Sequence, residues 1–113
     1  METSNLKKFH KLVRDNIPQI IEKSGGQPKW LNLCKEHRRG ALLDKLREEV
    51  EELSFSKEKD KFLDEAADVY EVLLALVYER GFLDADLELT AKKKRREKGA
   101  FDKFVWLESV ENS

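Results

Sequence analysis

The residues in this chain best able to do chemistry are two acidic clusters. The first is Glu48-Glu49-Val50-Glu51-Glu52 and the second is Glu65-Ala66-Ala67-Asp68. On an α-helix, positions i and i+3 lie on one face. Glu49 and Glu52 therefore point together from one helix, as do Glu65 and Asp68 from the next. An antiparallel pairing of the two helices brings four carboxylates to one spot, where they repel unless a positive charge sits among them. A hard divalent cation answers that need: Mg²⁺ or Mn²⁺ takes oxygen ligands in octahedral geometry, a few from carboxylates and the rest from water or phosphate. An isolated E-E-x-x-E reads first as a solvated acidic face. The second pair shifts the balance, because Glu65 and Asp68 lie on a mostly apolar helix where buried acids need compensation.

The basic groups are read against the same chemistry. Lys92-Lys93-Lys94-Arg95-Arg96-Glu97-Lys98 is first a solvated helix end with cations near the negative pole of the helix dipole. A nucleic-acid patch has little support from nearby aromatics, so nucleic acid is an unlikely partner. Coupled to the acids, however, Lys and Arg are what a bound polyphosphate requires. Lys11 and Arg14, in the N-terminal segment, can serve in the same way or be plain surface charges. His10 and His37 have no Cys or His at zinc-ligand spacing and read as surface or packing residues. Cys34, without a partner pattern, reads as a small buried hydrophobe. Ser24-Gly25-Gly26 lacks the pattern of a phosphate-binding loop.

Four helices are expected to position these groups. A short one follows Asp15 or Asn16 as N-cap, with Pro18 in its first turn, and stops at Ser24-Gly25-Gly26. The second runs from Gly40 or Ala41 to Leu53 or Phe55, with Leu43, Leu46, Val50 and Leu53 as its core stripe and Lys45, Glu49 and Glu52 on another face. Glu36 to Gly40 is a turn or early helix. The third, from Lys59 or Asp60 to Arg80, has the widest apolar surface and is the central one, with Ser56 as a possible cap. The fourth starts at Asp84 or Asp86 and closes at Gly99. Residues 1–8 are expected to be frayed. Pro28 to Leu33 and the aromatic tail Phe101 to Leu107 read as extended segments that can pair as a two-stranded ribbon. The fold class is all-α: a small helical bundle around an antiparallel helix hairpin.

Composition sets the outer bounds. At 113 residues the chain is a single domain, short enough that self-association is a natural way to gain burial. Charged residues are 40% of the total, but 22 Lys+Arg against 23 Asp+Glu leave a net charge of -1 and no general attraction to nucleic acid. The longest apolar run, Val72 to Tyr78, falls short of the roughly 18 residues of a membrane span, and the N-terminus carries no secretory signal pattern. One cysteine allows no internal disulfide, which suits a reducing, cytoplasmic setting.

Taken together, these residues resemble the all-α nucleotide pyrophosphohydrolase superfamily, the MazG-like and phosphoribosyl-ATP-pyrophosphohydrolase-like proteins. Glu48 to Glu52 followed by Glu65-Ala66-Ala67-Asp68 is similar to that superfamily's E-E-x-x-E … E-x-x-D metal motif. Lys11-Leu12-Val13-Arg14-Asp15-Asn16-Ile17-Pro18 resembles the K-L-V-R-D-x-I-P opening of one branch, and Lys94 to Phe101 its K-x-x-x-R-G-x-F closing segment. Lys98 and Ala100 depart from that segment's usual Arg and Gly. The resemblance implies Mg²⁺-dependent cleavage of a nucleotide between the α and β phosphates, by a homodimer or homotetramer. It implies Glu49, Glu52, Glu65 and Asp68 as metal ligands, and Glu48 as a further ligand or the group that orients the attacking water. Lys45, which shares a face with Glu49 and Glu52, could reach a phosphate; Lys11, Arg14, Lys94 and Arg95 are the other candidates. The alternatives are a phosphoribosyl-ATP hydrolase of histidine synthesis, a non-catalytic helical module that binds metal, nucleotide or a partner chain, and a nucleic-acid binder using Lys92 to Lys98.

Overall fold

The computed structural model of the chain describes residues 10–112. Residues 1–8, expected to be frayed, lie outside them. Among the described residues there are four helices: α1 (Ile17–Lys23), α2 (Lys35–Phe55), α3 (Lys59–Glu79) and α4 (Asp84–Lys98). No strand forms among these residues, so the fold is all-α.

Local chemistry sets most of the boundaries. Asn16 is the N-cap residue of α1, and Pro18 falls in its first turn, where a missing N–H costs nothing. The helix stops where Gly25 takes a φ of 92° and the Gly26 N–H donates back to the Ile21 carbonyl at 3.0 Å. α3 ends in the same way: Gly81 has a φ of 88°, and the Phe82 N–H reaches the Val77 carbonyl at 3.1 Å. At the start of α4 the Asp86 carboxylate accepts a hydrogen bond from the Leu83 N–H at 2.8 Å, tying down one of the free donors of the first turn.

α2 departs from the sequence reading at its start. It begins at Lys35, before Gly40, and runs through that glycine. Two interactions make the early start possible. Glu36 places a negative charge in the first turn, where hydrogen bonds from its own backbone and from Cys34 hold its carboxyl below the usual range. The Arg38 Nε donates to the Leu33 carbonyl at 3.0 Å, fastening the turn before the helix. A single exposed glycine costs a helix only about 1 kcal/mol, too little to end one anchored this way.

The connection between α2 and α3 is only Ser56 to Glu58, which forces the two helices antiparallel. They make the main contact of the fold, with α4 touching α3 less extensively. The ribbon expected between residues 28–33 and 101–107 does not form: the first segment has no regular secondary structure, and the second opens with a turn at residues 101–103. Two-stranded ribbons alone are marginal in water, and the aromatic segment stays highly exposed, with no helix covering it. No described helix is long and apolar enough to cross a membrane.

Packing in the single chain is thin. Among the described residues no apolar side chain is buried, and the only buried residue is Glu49, 6% exposed. The α2 seam against α3 carries Leu42, Lys45, Leu46, Glu49 and Leu53, whereas Leu43 and Val50 face outward. The expected core stripe is thus split: Leu46 and Leu53 enter the hairpin, and Lys45 and Glu49 take the places next to them. The apolar face of α2 is wide enough that period alone does not say which edge of it meets α3.

Candidate metal centre

The seam positions the acids. Glu49 comes from the middle of α2, and Glu65 and Asp68 from the second and third turns of α3, one turn apart on its inner face. Each offers a carboxylate oxygen, and these oxygens all lie within 4.8 Å of one another. Ala66 beside Glu65 lets the helices approach closely. Of the four residues expected to converge, Glu52 stays outside: it is exposed on α2, one turn nearer the bend, and its carboxylate does not join the cluster. It is still close enough for its charge to be felt at Glu49.

Cations meet the acids on one side. The Lys45 Nζ lies 3.3 Å from both Glu48 Oε1 and Glu49 Oε1. The Arg14 Nη2 donates to Asp68 Oδ1 at 2.7 Å, and the Lys11 Nζ lies 3.9 Å from Glu48 Oε1. The N-terminal segment therefore crosses the hairpin with its two basic residues over the acids. The other oxygens are left without compensation: Glu49 Oε2 and Glu65 Oε2 are buried and accept no hydrogen bond. A buried carboxylate oxygen without a donor costs on the order of 1–3 kcal/mol. Burial pushes the Glu49 carboxyl above its ordinary value; Lys45 pulls it back, and the charges of Glu52 and Asp68 add to the rise. Burial also works against the charge on Lys45, but Glu49 and Glu48 outweigh it and hold the ammonium on.

No family model, curated protein or solved structure matches this chain.

The site is therefore read on its own geometry. Three clustered carboxylates, two of them with unpartnered buried oxygens, fit an oxygen-loving divalent cation and fit neither a neutral ligand nor an anion. Next to them a cavity opens between the N-terminal segment and α2, lined by His10, Lys11, Leu12, Asp44, Lys45 and Glu48. Its two ammonium groups suit an anion lying beside the carboxylates. His10 and Asp44 were not among the site residues expected from sequence. Asp44 sits one turn before Glu48, a spacing that signals a shared face, while His10 is visible only as the neighbour of Lys11. Lys94 and Arg95 stay exposed on α4, and neither forms an ion pair with the acids among the described residues.

Proposed function

We propose that this chain is a divalent-cation-dependent nucleotide pyrophosphohydrolase, cutting a nucleoside triphosphate between its α and β phosphates to release a monophosphate and pyrophosphate. The observation that carries the reading is Glu49: a carboxylate 6% exposed, clustered with Glu65 and Asp68, with one oxygen lacking any donor. A group buried in that state is stabilised by a cation, and the adjoining basic cavity accommodates the phosphates the cation would serve.

Glu49, Glu65 and Asp68 would hold Mg²⁺, or Mn²⁺ in its place, with the charge of Glu52 felt beside them. The cation supplies neutralisation of the polyphosphate charge and an acidified water. The chain's own residues do the rest. Glu48, held between Lys11 and Lys45, accepts the proton of the attacking water. Lys45 and Lys11 bind phosphate oxygens in the cavity and orient the chain of phosphates for attack. Arg14 leaves Asp68 for the departing pyrophosphate, whose charge grows as the bond breaks. Cys34, expected as a small buried hydrophobe, is instead free and exposed, and is given no part in the reaction.

The experiment is an assay of the full chain with Mg²⁺ against canonical, deoxy and damaged nucleoside triphosphates and phosphoribosyl-ATP, with products identified. Monophosphate plus pyrophosphate is the expected result. Cleavage of phosphoribosyl-ATP alone assigns the site to histidine synthesis. Orthophosphate release overturns the proposed bond, and cation binding without turnover on any substrate leaves a non-catalytic module.

A further inference from the structure

Surface, rather than charge, is what the single chain leaves unaccounted for. It exposes 11239 Å², and its radius of gyration is 19.7 Å. A compact protein of 13.2 kDa exposes about 6,400 Å² and has a radius near 13 Å. The excess is several times the ~800 Å² that each partner contributes to an ordinary interface.

Two parts of that surface match each other. The first is a groove between α3 and α4, with Tyr70, Leu73 and Leu74 on one side, Leu87 and Ala91 on the other, and the acids Asp84 and Glu88 along the α4 wall. The second is the segment after α4. Gly99, with a φ of 85°, turns the chain off the helix, and Phe101, Phe104, Trp106 and Leu107 then stand 90%, 88%, 86% and 76% exposed. Phe104 also holds a φ of 47° in a turn closed by its N–H on the Phe101 carbonyl. A bulky residue in that region costs roughly 1–2 kcal/mol and persists where surrounding structure enforces it. In the single chain nothing surrounds it.

We propose that two copies of this chain exchange C-terminal arms, residues 101–110 of each seating in the α3–α4 groove of the other. The occupant is a second copy because the chain itself supplies both the groove and an apolar segment to fill it, and a two-fold exchange satisfies both at once. The arm does not fold back on its own groove, where it would have been buried. The exchange also explains the strained turn, which presents Phe104 to a neighbour. It is independent of the reaction proposed above.

Cross-linking of the full chain tests it. In a Cys34→Ser background, a Leu87→Cys chain and a Trp106→Cys chain are co-expressed and mildly oxidised. The expected product is a disulfide-linked heterodimer, in large excess over the homodimers. Ala91→Cys replaces Leu87→Cys should the latter lose its helical circular dichroism. A heterodimer no more abundant than the homodimers overturns the exchange. So does a chain carrying both cysteines that closes mainly on itself. By light scattering the wild type is expected at twice 13.2 kDa or a multiple of that, with Phe104→Ser plus Trp106→Ser weakening assembly at least ~10-fold. A wild-type monomer at tens of micromolar, or an unchanged dimer in the double variant, overturns it.

Discussion

Arg14 and Asp68 meet at 2.7 Å across 54 residues of sequence, joining the N-terminal segment to the inner face of α3. Both side chains are more than a third exposed, so the pair contributes little to stability, about 0–1 kcal/mol. Its effect is on the acids: Arg14 occupies an oxygen that a cation would use.

Replacing Arg14 therefore separates two effects. Arg14→Ala is expected to shift stability by less than ~1 kcal/mol while tightening Mg²⁺ binding in the absence of substrate, because a competing positive charge is gone. With a triphosphate present the same variant should lose at least ~10-fold in kcat/KM. Calorimetric titration and steady-state kinetics measure the two, and weaker cation binding without substrate contradicts the proposed competition.

Glu49→Gln and Asp68→Asn keep shape and remove charge. Each is expected to reduce turnover by ~100-fold or more with unchanged helical circular dichroism. The apo form of Glu49→Gln should melt higher than wild type, since it no longer holds a charge in the seam. Wild-type rates in both variants would sink the site.

The pH dependence follows from the same residue. The Glu49 carboxyl titrates above its ordinary value of 4.5, burial being the main cause. The folded state then binds more protons than the unfolded one between the two values. Its contribution to stability is present below pH 4.5 and is lost as pH rises through the raised value. Without divalent cation, wild type should lose stability relative to Glu49→Gln as pH climbs from about 4.5 to neutrality. Added Mg²⁺ should raise the wild-type Tm more at neutral pH than at acid pH. Equal Mg²⁺ gains at both ends of the range, in thermal melts, count against a cation at this carboxylate.

Gly40 offers a test of the α2 boundary alone. A Cβ built there meets nothing within 4 Å, and its backbone is helical. Gly40→Ala is expected to stabilise the chain by about 0.5–1 kcal/mol, with no change in cation binding. A loss of stability on denaturant unfolding would mean that the helix is interrupted there.

Much of this architecture can be read from residue types, and the exceptions have physical reasons. Pro18 marks a helix start because it lacks the N–H that a later turn would need, and Gly25, Gly81 and Gly99 mark ends because each takes a positive φ that a continuing helix does not use. The start of α2 is less legible, since Glu36 and Arg38 act through hydrogen bonds that spacing does not reveal. The grouping of Glu49 with Glu65 and Asp68 follows from i, i+3 geometry and a short connection. The exclusion of Glu52 depends on the register of two helices, which periodicity leaves open. Leu43 and Val50 share the period of a core stripe yet face outward, because a pattern records that a face must be covered without recording what covers it. The aromatic tail reads as a strand for the same reason.

The short link between α2 and α3 also bears on how the chain folds. Glu49, Glu65 and Asp68 all lie between residues 49 and 68, so closing one hairpin brings them together before any distant segment is in place. Loop closure over so few residues is entropically cheap, and such local contacts form early. Three like charges then meet as that hairpin closes, and their repulsion opposes the closure. A cation present during refolding would lower that barrier and speed folding, beyond any effect it has on the finished protein.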